Sequence, residues 1–114
     1  YRLLADAKAK ALALVEGYRP PEPPTYRLPG PTAATAMGLA VDGFWRLGKA
    51  TDYDRVVASA LAKVLSGGDT DMLFELTEEQ MLDLEREAFM GLVRNAGTLA
   101  RIEHMLVTGK PLRN

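Results

Sequence analysis

Thr51-Asp-Tyr-Asp-Arg-Val-Val-Ala-Ser-Ala-Leu-Ala-Lys-Val-Leu-Ser-Gly-Gly68 is a helix with both of its ends written in. Thr51 can accept a bond from a free N–H of the first turn, and Asp52 and Asp54 put negative charge at the positive end of the helix dipole. Val56, Val57, Ala60, Leu61, Val64 and Leu65 recur at helical spacing as one apolar stripe. Gly67-Gly68 then ends the run, because glycine takes a left-handed cap without steric cost. The pattern predicts a helix over about residues 52–66.

Similar signals recur on both sides. Thr77 with Gln80 three residues on forms a capping box for a helix over about 78–94, with Leu82, Leu84, Ala88, Phe89 and Leu92 among the residues expected to face inward. Leu99, Ile102, Met105 and Leu106 share one side of a helix over about 99–108, which Gly109 and Pro111 stop. Upstream, Leu3, Leu4, Ala7, Ala11, Leu14 and Val15 mark a helix over about 2–16, closed by Gly17. A helix over about 32–47 is rich in small residues and ends on Phe44, Trp45 and Leu47, which are expected in the core of a small domain. No stretch alternates with period two for long enough to make a convincing strand. The expectation is an all-α chain of about five helices with a proline-rich extended connector. It forms one unit over 1–114: a first helix over 1–17, a strap over 18–31 and a helical bundle over 32–114.

The strap follows from six prolines, Pro20, Pro21, Pro23, Pro24, Pro29 and Pro31. Each lacks a backbone donor and fixes φ near about −65°, so this stretch is neither helix nor central strand. It reads either as a solvated linker or as a strap pinned to a surface by Tyr18, Tyr26 and Leu28.

The chain has 114 residues, 47% of them hydrophobic and 25% charged, which is ordinary for one small globular unit. A net charge of −1 exerts no long-range pull on nucleic acid or anionic lipid. The absence of cysteine excludes disulfide and thiolate chemistry. No apolar run approaches the roughly 18 residues that span a bilayer, and no signal-peptide pattern is visible. The chain opens without Met inside a helical pattern, so the expectation is a cut N-terminus and a native ending at Asn114.

Four constellations bear on chemistry. Gly43-Phe-Trp-Arg-Leu-Gly48-Lys49-Ala50 approaches a phosphate-binding loop, yet Ala50 stands where Ser or Thr must hold magnesium and no strand precedes it. No Gly-x-Gly-x-x-Gly occurs, so NAD has no dinucleotide fingerprint here. His104 is the sole histidine; Glu103 lies about 100° round the helix from it, and Arg101 occupies the position a Glu-x-x-His pair would need. Asp83, Glu85, Arg86 and Glu87 form a charge run typical of a solvated helix face. General acid–base chemistry beside a polarised carbonyl needs two poised carboxylates and donors for the developing oxyanion, which one exposed helix does not supply.

Several blocks resemble one enzyme lineage: Thr108-Gly-Lys-Pro-Leu-Arg-Asn114, Leu84-Glu-Arg-Glu-Ala-Phe89, Leu65-Ser-Gly-Gly-Asp69, and Leu3-Leu-Ala-Asp-Ala-Lys8 with Gly17-Tyr-Arg-Pro-Pro21. They resemble the multifunctional 3-hydroxyacyl-CoA dehydrogenases of fatty-acid β-oxidation that carry a crotonase-like enoyl-CoA hydratase part. The resemblance covers nearly the whole chain and includes no catalytic motif. It implies an enlarged crotonase-type terminal helical region, a lid over an acyl-CoA site and an oligomer contact. It further implies a cytoplasmic parent that oxidises 3-hydroxyacyl-CoA with NAD, the cofactor being bound outside this region.

Aligned on Pro111, Lys110 matches the last basic residue of the superfamily ending. Met105 stands where that ending has phenylalanine, and Thr108-Gly109 replaces its other basic residues. The resemblance thus implies Lys110 as a point charge for a CoA phosphate and Met105 as part of an acyl pocket. It also implies homo-oligomerisation, with the first two helices keeping apolar surface exposed. Two other readings stand beside it. One is a stand-alone helical interaction module without a catalytic parent. The other is a small nucleic-acid-binding regulator, against which the lack of a basic face argues.

Overall fold

The computed structural model describes residues 2–114. Five helices dominate it: α1 (Arg2–Val15), α2 (Pro31–Arg46), α3 (Asp52–Ser66), α4 (Glu78–Leu92) and α5 (Ala96–Thr108). The chain is all-α in class, as its periodicity implies. The starts of α3 and α4 fall where Thr51 and Thr77 put them, whereas α4 stops at Leu92 rather than near 94 and α5 begins at Ala96 rather than near 99, behind Asn95, which makes no side-chain cap bond. Thr51 Oγ1 accepts from the Asp54 N–H at 3.1 Å while Asp54 accepts from the Thr51 N–H at 2.8 Å. Thr77 and Gln80 make the same reciprocal pair at 3.2 and 2.9 Å. Each pair satisfies two backbone or first-turn donors that a helix start would leave unmet.

One small feature was not expected. β1 (Thr25–Arg27) and β2 (Glu75–Thr77) pair antiparallel, with Tyr26 opposite Leu76. Glu75 holds the ladder by accepting from Thr25 Oγ1 at 3.1 Å and from Arg27 Nε at 3.2 Å. Strands of three residues are too short to show a period of two, and their partner lies fifty residues away, so no local pattern reveals them.

The ladder also decides between the two readings of the proline segment. Its first half, Tyr18 included, is exposed, whereas Tyr26 and Leu28 are half-buried and Gly30 is buried. The Gly30 N–H donates to the Ser66 carbonyl at 2.8 Å. The strap is therefore docked at its downstream end, and Tyr18 does not pin it.

Around this point sits the most densely packed part of the molecule: Gly30, Ala62, Ser66, Gly67 and Gly68 are its buried residues. Gly67 caps α3 with φ +90°, and a Cβ there would lie 2.6 Å from Thr70 Cγ2 and 3.0 Å from Leu28 Cβ. Only glycine meets both demands, since the left-handed conformation and the close approach each exclude a side chain.

Away from this point the chain does not close a core. α2 packs along α3, α3 against α4, and β2 leads into α4, but every residue of α1 is exposed. The radius of gyration is 20.3 Å and the extents are 56 × 44 × 26 Å; a compact domain of this length would have about 13 Å. Phe44 and Leu47, expected in a core, are 54% and 70% exposed, and Trp45 is exposed too. Leu82 and Phe89 on α4, expected to face inward, are also exposed. Helical spacing identifies which face seeks apolar cover, and within this chain these residues receive little. Among the described residues, no helix is long and apolar enough to cross a membrane.

Candidate functional site

Two residues carry the expectation of ligand contact, and both lie near the end of α5. Met105 faces solvent on the helix, and its carbonyl accepts from the Gly109 N–H at 2.9 Å in the left-handed cap. Lys110 follows the cap; its N–H donates to Thr108 Oγ1 at 3.1 Å, and its side chain is exposed. An exposed ammonium and a soft thioether thus share one end of the helix.

α5 is fixed by a polar node that its sequence did not reveal. Gly97 abuts the Tyr53 ring, where a Cβ would come within 2.5 Å of Cε2. The Tyr53 hydroxyl shares a 2.7 Å hydrogen bond with Thr98 Oγ1. Arg101 Nη2 donates to Asp54 Oδ1 at 2.8 Å, and its guanidinium lies 5.1 Å from the Tyr53 ring centre. Arg101 Nε also donates to Asn114 Oδ1 at 2.6 Å, and Asn114 Nδ2 donates to the Gly97 carbonyl at 3.1 Å. Arg113 completes the tail's anchorage by donating to the Lys49 carbonyl at 3.1 Å.

The electrostatics follow from these bonds. The Thr51 N–H and then the Arg101 guanidinium hold the Asp54 carboxyl down to about 2. This node binds the C-terminal tail to the start of α3. All of Asp54's close partners are used in structure, so it is not a free acid or base. The sequence contains no short-range sign of the node, because Arg101 and Asp54 are 47 residues apart.

The remaining constellations resolve simply. Gly43–Ala50 is the end of α2 and the turn into α3: the Lys49 N–H donates to the Phe44 carbonyl at 2.9 Å, and a helix rather than a strand leads into it. Trp45 Nε1 donates to Asp52 at 2.7 Å, and Arg55 bonds Asp42 at 2.7 Å while lying 4.6 Å over the Trp45 ring. His104 is half-buried, and its carbonyl accepts from Thr108 Oγ1 at 2.7 Å. In the charge run Arg86 pairs with Asp83 at 2.9 Å and Lys63 with Glu87 at 3.1 Å, all exposed as a solvated face.

An apolar groove of about 660 Å³ runs between α3 and α4. Leu61, Val64 and Leu65 form one wall; Leu82, Phe89 and Leu92 form the other, with Glu85 and Arg86 at the edge. It contains no nucleophile and no paired acid and base. What it can do chemically is remove apolar surface from water.

The chain is 42% identical over 113 residues, 98% of its length, to a Bacillus subtilis (strain 168) protein named "Probable 3-hydroxyacyl-CoA dehydrogenase". It spans 14% of the length of that relative. No family model matches the chain, and no solved structure matches it.

Proposed function

We propose that this chain is the helical C-terminal region of a larger 3-hydroxyacyl-CoA dehydrogenase that also carries a crotonase-like hydratase part. There it serves as a lid over the acyl-CoA site and as an oligomer contact. The observation that carries this reading is the 42% identity along 98% of a chain that fills only 14% of its dehydrogenase relative. The open architecture supports it physically: a 20.3 Å radius of gyration and exposed apolar helix faces fit a region whose cover comes from elsewhere.

The roles divide accordingly. The larger enzyme, cytoplasmic in this reading, oxidises 3-hydroxyacyl-CoA to 3-oxoacyl-CoA, with NAD held upstream of this region. Lys110 offers a point charge to a CoA phosphate, and Met105 offers a deformable apolar contact to the acyl chain. The node around Arg101 keeps both in place by tying α5 and the tail to α3.

The test is an exchange of segments. The matching segment of the Bacillus relative is replaced by this chain, and NADH formation from a 3-hydroxyacyl-CoA is measured beside a variant lacking the segment. Retained turnover in the exchange, with activity or assembly lost in the deletion, is expected. A soluble, folded exchange protein without turnover, or a deletion indistinguishable from the parent in rate and mass, would overturn the reading.

A further inference from the structure

We infer that α1 docks into the α3–α4 groove of a second copy of this chain, so that two copies exchange their first helices. The inference deepens the oligomer reading above and rests on it.

α1 is a formed helix without a covered face. All its residues are exposed, Leu4 at 78% and Leu14 at 70%. Its apolar residues Leu4, Ala7, Ala11 and Leu14 follow a three-four-three spacing, the seam of a helix that packs on other helices. The two alanines at the middle of this seam permit close approach. At about 100° per residue, Lys8 and Lys10 fall roughly 80° to either side of it. Two lysines so placed can lay their methylenes along a groove and keep their ammonium groups at its rim.

The groove matches in length and in charge. Leu82 and Leu92 mark its α4 wall ten residues apart, and Leu4 and Leu14 are also ten apart, about 15 Å along either helix. Glu78 and Glu85 are two helical turns apart on the α4 face that carries Leu82 and Phe89. Neither glutamate has an ion-pair partner among the described residues, whereas Asp83 and Glu87 do. Over its length α4 carries five acidic residues and one basic residue, while α1 carries three basic and one acidic. A lysine-flanked stripe thus matches in length a groove walled by a net-acidic helix, with Glu85 and the Asp83-paired Arg86 at its edge.

A second copy fits better than the helix's own chain. Pro20, Pro21, Pro23 and Pro24 stiffen the exposed half of the connector and keep α1 extended from the body. Fold-back would have to reverse this segment, whereas exchange uses its reach. The exchange is also self-complementary, so it closes as a two-fold dimer with both grooves filled.

The test uses the 114-residue chain and light scattering. The unaltered chain should run at twice its 12.4 kDa mass. Leu14→Glu spoils the helix and leaves the groove; Phe89→Glu spoils the groove and leaves the helix. Each alone should raise the dimer dissociation constant at least about tenfold, with the helical circular dichroism signal kept. Mixed one to one, they should recover a dimer, because the intact α1 of one variant meets the intact groove of the other. A monomeric parent, or a dimer unaffected by either substitution, overturns the exchange; the second outcome leaves the broader oligomer reading standing. Failure of the mixture to recover any dimer would mean that α1 and the groove do not meet across copies, and also overturns it. Should either variant unfold, Leu4→Glu and Leu82→Glu form a second pair read in the same way.

Discussion

Arg101 on α5 reaches the first turn of α3, where its Nη2 donates to Asp54 Oδ1 at 2.8 Å. Asp54 is at the same time the acidic partner of the Thr51 capping box. One carboxylate therefore starts a helix and holds another element against it. Its ordinary value of 3.8 is lowered to about 2, first by the Thr51 N–H and then by Arg101.

A lowered carboxylate stabilises the fold above its unfolded pKa, and that contribution is lost as pH falls through the folded value. The window is therefore between about 4 and 2. Asp54→Asn should lower the urea midpoint at pH 5.5 and make much less difference at pH 2. Asp54 is about a third exposed, so the effect is moderated by solvent. Equal losses at both pH values would show that the charge of Asp54 has no part in it.

Gly67→Ala should destabilise by more than about 1 kcal/mol, because the new Cβ meets Thr70 and Leu28 at a φ of +90°. Gly91→Ala provides the opposite control. It sits inside α4 with open space around its Cβ position, and should stabilise by roughly 0.5–1 kcal/mol. Denaturant midpoints measured side by side check both signs.

Thr77→Ala removes the hydroxyl that accepts from the Gln80 N–H at the start of α4. A loss of about 1 kcal/mol is expected. Thr77→Asp should restore most of it, since a carboxylate accepts the same bond and favours the helix N-terminus. Thermal melts followed by far-UV circular dichroism would expose the error if both variants behaved alike.

The chain alone should form no NADH from a 3-hydroxyacyl-CoA and should not hydrate an enoyl-CoA. It has no dinucleotide loop, and the polar node around Arg101 is committed to tying Asn114 and Asp54 together. Steady absorbance assays with freshly purified protein decide this, and turnover that survives further purification would contradict it.

The helices and those of their ends that carry a cap signal were readable from the chain because their causes are local; the start of α5, which has no side-chain cap, was not. A 3.6-residue period, the threonine caps at 51 and 77 and the glycines at 67 and 109 act within a few residues, and the structure places each where expected. The positions of Lys110 and Met105 near the end of α5 were equally legible, since they follow from helix length. The β1–β2 pair, the docking of Gly30 on Ser66 and the Arg101 node were not. Each joins residues tens of positions apart, and the apolar and polar signals at either end have many candidate partners along the chain.

Burial separated the two levels most sharply. The stripes on α1, α2 and α4 state which faces gain by leaving water, but Phe44, Leu82 and Leu4 remain exposed because this chain does not bring a second surface over them. Local sequence determined the helices, their boundaries and their apolar faces. Only the tertiary arrangement decided which faces were covered, because burial belongs to two surfaces meeting and a single stripe encodes one of them.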